Sequence, residues 1–254
     1  KGIMPTDGNG MPIEREDYIK NTVIGGMCCG IVLFVASNLQ QAGIQYTTSG
    51  KAGFITALYV VLVPVSGILF KKKVHPIVWI SVALSVCGLY LLCINEDVDG
   101  ASGLVGMMGR GELLVLLCAF GFTGHILVID HFSHKAHAVA MSCIQFLVNF
   151  VLSGLVMFTL ETPTLDNILS AAIPILYAGV MSSGIAFTLQ IVAQKRANPT
   201  ICSLIMCLES VFAVLTGWVI LHEAMTFRHA IGCVLMFVAI IIAEAPKPKL
   251  VKKS

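Results

Sequence analysis

One carboxylate in this 254-residue chain, Glu209, stands near the middle of a long apolar run. An ionisable group at mid-bilayer costs about 2.5–3.5 kcal/mol on insertion scales, so it is kept there for a reason. Two roles suit it. It could face a polar cavity, binding a cationic group or exchanging a proton, or it could stand neutral as a hydrogen-bonding link between helices. Glu112, Asp130, Glu223 and Glu244 fall at the ends of apolar runs, within reach of water. Other polar side chains share Glu209's setting: Asn38, Gln40, Gln41, Thr56, Tyr59, Gln145, Asn149 and Gln190. His125, deep in its own run, suits a proton relay or a buried neutral ring. Asn38, Tyr59, His125, Gln190 and Glu209 are the candidate solute-binding or coupling residues. Each would equally suit helix–helix bonding, which contributes about 0.6 kcal/mol on average in measured membrane proteins.

Other chemistry finds little support. Asp130, His131, His134 and His137 form a dense group. They sit at a loop, the spacing matches no metal motif, and a solvated loop is the expected role. The chain has no GxSxG, HExxH or GxxxxGK[ST] motif, so neither hydrolysis nor nucleotide-driven pumping is indicated, and no cofactor or metal is expected. Most of the nine cysteines lie in apolar runs, at irregular spacing, and read as small packing residues.

The elements that must position these groups follow from composition. Hydrophobic residues make up 57% and charged residues 12%, against about 25% charged in soluble domains. The chain is therefore expected to be an all-α polytopic membrane bundle. A membrane helix needs roughly 20 apolar residues. Eight stretches qualify: 22–41, 52–70, 76–94, 111–130, 138–160, 170–192, 200–221 and 229–245. The interior prolines Pro64 and Pro174 are tolerable in such helices. Gly26 and Gly30 form a small-xxx-small pair that permits close helix contact. No basic, aromatic-interleaved patch suggests nucleic acid.

Alternate loops fall on opposite faces of the bilayer, and this sorts the basic residues. One face receives Lys1, Arg15, Lys20, Lys71, Lys72, Lys73, Lys135, Lys195, Arg196, Lys247, Lys249, Lys252 and Lys253. The other receives Lys51, Arg110 and Arg228. Basic residues accumulate in cytoplasmic loops, so the first face, with both ends of the chain, is expected to be cytoplasmic.

The chain is also internally duplicated. From Asn38 to Ile94 it runs through Leu39-Gln40, Ile55, Leu58, Val61 and Gly67. About 150 residues later, Leu189-Gln190, Ile205, Leu208, Val211 and Gly217 stand at the same offset. Tyr59 then corresponds to Glu209, and Gln40 to Gln190. Duplicated membrane proteins are commonly transporters, with the site between the repeats.

Residues Leu208-Glu209-Ser210-Val211-Phe212-Ala213, then Gly217-Trp218 and His222-Glu223, resemble the EamA family of the drug/metabolite transporter superfamily. Ala193-Gln194-Lys195, Asn198-Pro199-Thr200, Tyr46-Thr47-Thr48-Ser49 and Pro64 fit the same pattern. The resemblance implies ten helices in two inverted five-helix repeats around a central cavity. On that register the candidate residues lie on cavity-associated helices. It also implies that two helices are absent ahead of the first span. The expected organisation is a polar cytoplasmic segment 1–21, a partial first repeat 22–94, an inter-repeat loop 95–110, a second repeat 111–245 and a basic tail 246–254. Ser210 replaces the family's usual proline, which predicts a softer kink. Lys71-Lys72-Lys73 stands where the first copy often ends in an acidic residue.

The function implied is a secondary, non-ATP-driven transporter of a small metabolite, amino acid or drug-like solute, rather than an enzyme. A non-transporting receptor or scaffold is the alternative. The expected partners are a small-molecule solute and the lipid bilayer, with a homodimer left open. A reporter fused after Lys253 should be active on the cytoplasmic side; activity only on the outer side overturns the orientation.

Overall fold

A chain segment in hydrocarbon must satisfy its backbone hydrogen bonds internally, and for a single run the α-helix does so. The computed structural model of the chain describes residues 13–69, 74–93, 109–160, 164–220, 222 and 225–244, and these contain no β-strand. Eight helical spans are long and apolar enough to cross a bilayer. They are Arg15–Ile44, Ser49–Leu69, Pro76–Cys93, Arg110–Ser133, Ala138–Thr159, Ala172–Gln194, Pro199–Ile220 and Phe227–Glu244, and we number them first to eighth. Lys71, Lys72, Lys73, Glu223, most of the inter-repeat loop and the basic tail lie outside the described residues.

The eight spans occur where apolarity placed them, with two differences. The first helix starts at Arg15, well before the apolar run. Its 30 residues would extend roughly 45 Å at 1.5 Å per residue, against a hydrocarbon core of about 30 Å. Its polar first turns therefore project beyond the membrane, because a helix need not end where the bilayer does. The sixth span is composite. Pro174 lies in the short helix Ala172–Tyr177, a π-helix covers Ala178–Ala186, and Phe187–Gln194 is α-helical.

The first span packs along the fourth and fifth, and the third along the eighth. Both seams depend on glycine. A Cβ at Gly30 would come within 2.7 Å of the Gln145 carbonyl, and one at Gly26 within 2.7 Å of Ile144 Cβ. Gly88 and Gly232 face each other, and a Cβ on either would lie 3.0 Å from the other's carbonyl oxygen. The backbones of these spans are thus in near contact, as small residues permit in membranes. Loops lock the seams. Thr22 accepts from the His137 N–H at 3.0 Å, serving an exposed donor at the start of the fifth span. Thr47 donates to Glu112 at 2.8 Å, and the Arg110 guanidinium lies 5.4 Å from the Tyr46 ring centre.

Gly232→Val should lower thermal stability by about 1–3 kcal/mol through overpacking. Gly154→Val, where nothing lies within 4 Å, should stay within about 0.5 kcal/mol of the parent. Thermal denaturation in detergent measures both, and equal effects would dissolve the seam argument.

Candidate functional site

The second and seventh spans are both interrupted near the middle of their length. The second divides into Ser49–Ala57 and Tyr59–Leu69, with Leu58 between. The seventh divides into Pro199–Met206 and Leu208–Ile220, with Cys207 between. The two spans begin alike. Thr48 caps the second by accepting from Lys51 N–H, and Asn198 caps the seventh by accepting from Thr200 N–H with Pro199 following. Around the breaks the bonding tightens to three-residue spacing, Leu58 N–H to Ile55 O at 3.2 Å and Ser210 N–H to Cys207 O at 3.2 Å. A proline at position 210 could not make the second bond. The interruption therefore exists with no proline at position 210.

The breaks touch. The Cys207 thiol donates to the Ala57 carbonyl at 3.9 Å, a contact between residues 150 apart in sequence. That separation is the offset of the internal duplication. Tyr59 is buried beside them; its hydroxyl shares a hydrogen bond with the Cys207 thiol, and Glu209 acts electrostatically on both. Glu209 itself is exposed, on the face of the seventh span that also carries exposed Phe212, Ala213 and Thr216. The described residues offer its carboxylate no hydrogen bond. Ser210 reaches Cys93 of the third span. Gln40 donates to Thr56 at 3.2 Å, and Thr56 is also bonded to Cys118 of the fourth span.

A second polar group lies between the fourth, fifth and sixth spans. His125, 1% exposed, donates from Nε2 to Gln145 Oε1 at 2.8 Å. Phe187 meets the imidazole edge-on at 5.8 Å, and Phe146 in turn meets Phe187. Gln145 Nε2, Asn149 Oδ1, Gln190 Nε2 and both polar atoms of Gln194 are buried without a partner among the described residues.

The five predicted residues are thus distributed rather than gathered at one point. Tyr59 and Glu209 share the central break. His125 belongs to the amide group, and Gln190 is an unpartnered member of the same region. Asn38 donates to Phe34 O of its own helix at 2.8 Å and joins neither. Cys207 and Gln194 were not singled out as candidates. Cys207 read as packing because a thiol in an apolar run carries no other signal. Its exact alignment with Ala57 at the duplication offset could have exposed it.

Eight membrane-spanning helices, two of them interrupted and meeting across a sequence duplication, define a multi-pass α-helical membrane protein. The sequence profile of the EamA-like transporter family matches residues 12–94 and 109–244. The chain belongs to that family. It is similar to an uncharacterized transporter of Archaeoglobus fulgidus, 32% identical over 221 residues, which covers 86% of this chain and 68% of that protein. It is also similar to the uncharacterized transporter YetK of Bacillus subtilis, 26% identical over 225 residues, covering 85% of this chain and 67% of that one. A solved crystal structure superposes with a TM-score of 0.68 over 90% of this chain and 87% of the other at 17% identity, a likeness of fold. The protein is a multi-pass membrane transporter.

A double-mutant cycle over His125→Leu and Gln145→Leu should give a coupling of about 0.5–3 kcal/mol, as expected for directly bonded side chains. Thermal denaturation of the solubilised protein reads it. Zero coupling would show that the contact does not hold the amide.

Proposed function

We propose that this chain moves a small solute by alternating access, with the two repeats rocking about the point where the interrupted second and seventh spans meet. The observation that carries this reading is the Cys207–Ala57 contact with Tyr59 and Glu209 beside it. Interrupted helices near the bilayer midplane at a repeat interface are the usual architecture of a secondary transporter's site. A rigid pore would gain nothing from two broken helices. A rocking bundle gains two hinges at one depth.

Glu209 is the coupling group of this cycle. Lipid contact would penalise its carboxylate by about 2.5–3.5 kcal/mol, so its exposed face belongs to a wetted cleft. There it takes and releases a proton as the cleft opens to either side. Tyr59 holds the Cys207 hinge, and His125 and Gln190 face the solute region of the second half. Asn38, bonded to its own helix, has the weakest claim among the five and serves the first span's exit. The basic face is cytoplasmic, the membrane is the cell membrane, and residues 22–94 and 111–245 act as the two rocking bodies.

Purified protein in proteoliposomes, screened against a panel of labelled metabolites, should show uptake driven by a proton gradient. Glu209→Gln should reduce gradient-driven uptake at least tenfold while inserting normally. Unchanged uptake in that variant removes Glu209 from the mechanism, and no flux for any metabolite class removes the transport cycle itself.

A further inference from the structure

Five of the buried polar atoms without a partner among the described residues lie along one pair of spans, while others, such as Ser85 Oγ and Ser133 Oγ, lie elsewhere. Gln145 Nε2 and Asn149 Oδ1 stand one turn apart on the fifth span, and Gln190 Nε2 and both atoms of Gln194 one turn apart on the sixth. Gln145 and Gln194 are 0% and 1% exposed. An orphaned polar group in hydrocarbon is costly, so these atoms call for bonding partners from outside the described residues.

The duplication shows why Gln190 is among them. In the first copy its counterpart Gln40 is satisfied by Thr56. At the same 150-residue offset the second copy has Met206, which offers no hydroxyl. His125 occupies the acceptor end of Gln145 and leaves its amide N–H₂ free. It is a positioning residue for that donor.

A cavity of about 490 Å³ opens between the fifth and sixth spans, and of the four side chains with unpartnered atoms there Asn149 lines it. Ser142, Phe146, Asn149 and Ser153 line it from one side, and Ser183 and Thr188 from the other. The π-helix supplies Ser183, and such helices recur at functional sites. Thr188 donates to Gly184 O at 2.7 Å, so Ser142 donates to Thr188, also at 2.7 Å, across the cleft. The volume suits a small organic solute. None of the described residues lining it is acidic or basic.

We infer that this cleft between the fifth and sixth spans binds an uncharged solute bearing several hydroxyl or amide groups and one apolar face. Asn149 Oδ1, without a partner among the described residues, accepts, and the Ser153 and Ser183 hydroxyls of the lining donate and accept, which matches a ligand that does both. Phe146 covers the apolar face. A cationic or anionic solute would enter with no counter-charge. Lipid chains would leave every one of these groups unsatisfied. The assignment rests on the transport reading and names its substrate class.

The test is ligand stabilisation of the purified full chain, with glucose and uridine as uncharged probes and lysine, choline and aspartate as charged ones. An uncharged probe should raise the melting temperature in a saturable way. Asn149→Leu and the milder Ser183→Ala should each weaken its apparent Kd, the former at least tenfold. Preferential binding of a charged probe, binding indifferent to both Asn149→Leu and Ser183→Ala, or no stabilisation by any probe each overturns the inference. Uptake of the same probes into proteoliposomes separates the two readings. Flux of a charged probe leaves transport standing and removes the uncharged-solute site. Asn149-dependent binding of an uncharged probe without flux keeps the site and removes transport.

Discussion

The constraint beneath this structure is that water cannot repair a broken helix in the middle of a bilayer. Each interruption exposes backbone groups in hydrocarbon, where leaving them unmet costs several kcal/mol. The chain answers by placing its two interruptions against each other, so that the thiol of Cys207 meets the carbonyl of Ala57. Everything around that contact can be read as its support. The third and eighth spans approach as closely as Gly88 and Gly232 permit, which keeps the neighbouring second and seventh spans in register. The first span is clamped to the fourth and fifth and closes the other side.

Much of the fold was legible because bilayer insertion imposes a simple code. Runs of about 20 apolar residues become helices whatever their neighbours do, and all eight were found this way. Helix ends were less legible. Polar residues such as Arg15 and Lys20 can continue a helix into water, and apolarity does not register that. The π-helix at Ala178–Ala186 was illegible. Six of its nine residues are Gly, Ala or Ser, a composition that fits an ordinary close-packed span equally well.

The site was legible in part and for a different reason. Glu209 announced itself by cost, since a mid-span carboxylate is expensive. Tyr59 emerged by its correspondence with Glu209 across the duplication. The partnership of His125 and Gln145 could not be read, because it crosses a hairpin and depends on which faces of two helices meet. The interruption at Cys207 could not be read from local residue type either. Ser210, where the resemblance expects a proline, keeps an N–H that bonds the Cys207 carbonyl, and the interruption lies against the Ala57 carbonyl of the opposite span. Local residue type sets how easily a helix bends; tertiary contact decides whether it does.

The exchange of Thr56 for Met206 has a consequence for energetics. Two identical inverted repeats would relate the inward-open and outward-open forms by a two-fold rotation and give them equal free energy. Here one repeat keeps its Gln40–Thr56 bond and the other has no equivalent. A single such bond, at about 0.6 kcal/mol, biases a two-state equilibrium by about threefold. In the proposed cycle, a bond of this kind that is made in one form and broken in the other sets the empty protein unevenly between its two sides, and Thr56 is where the two repeats differ in this respect.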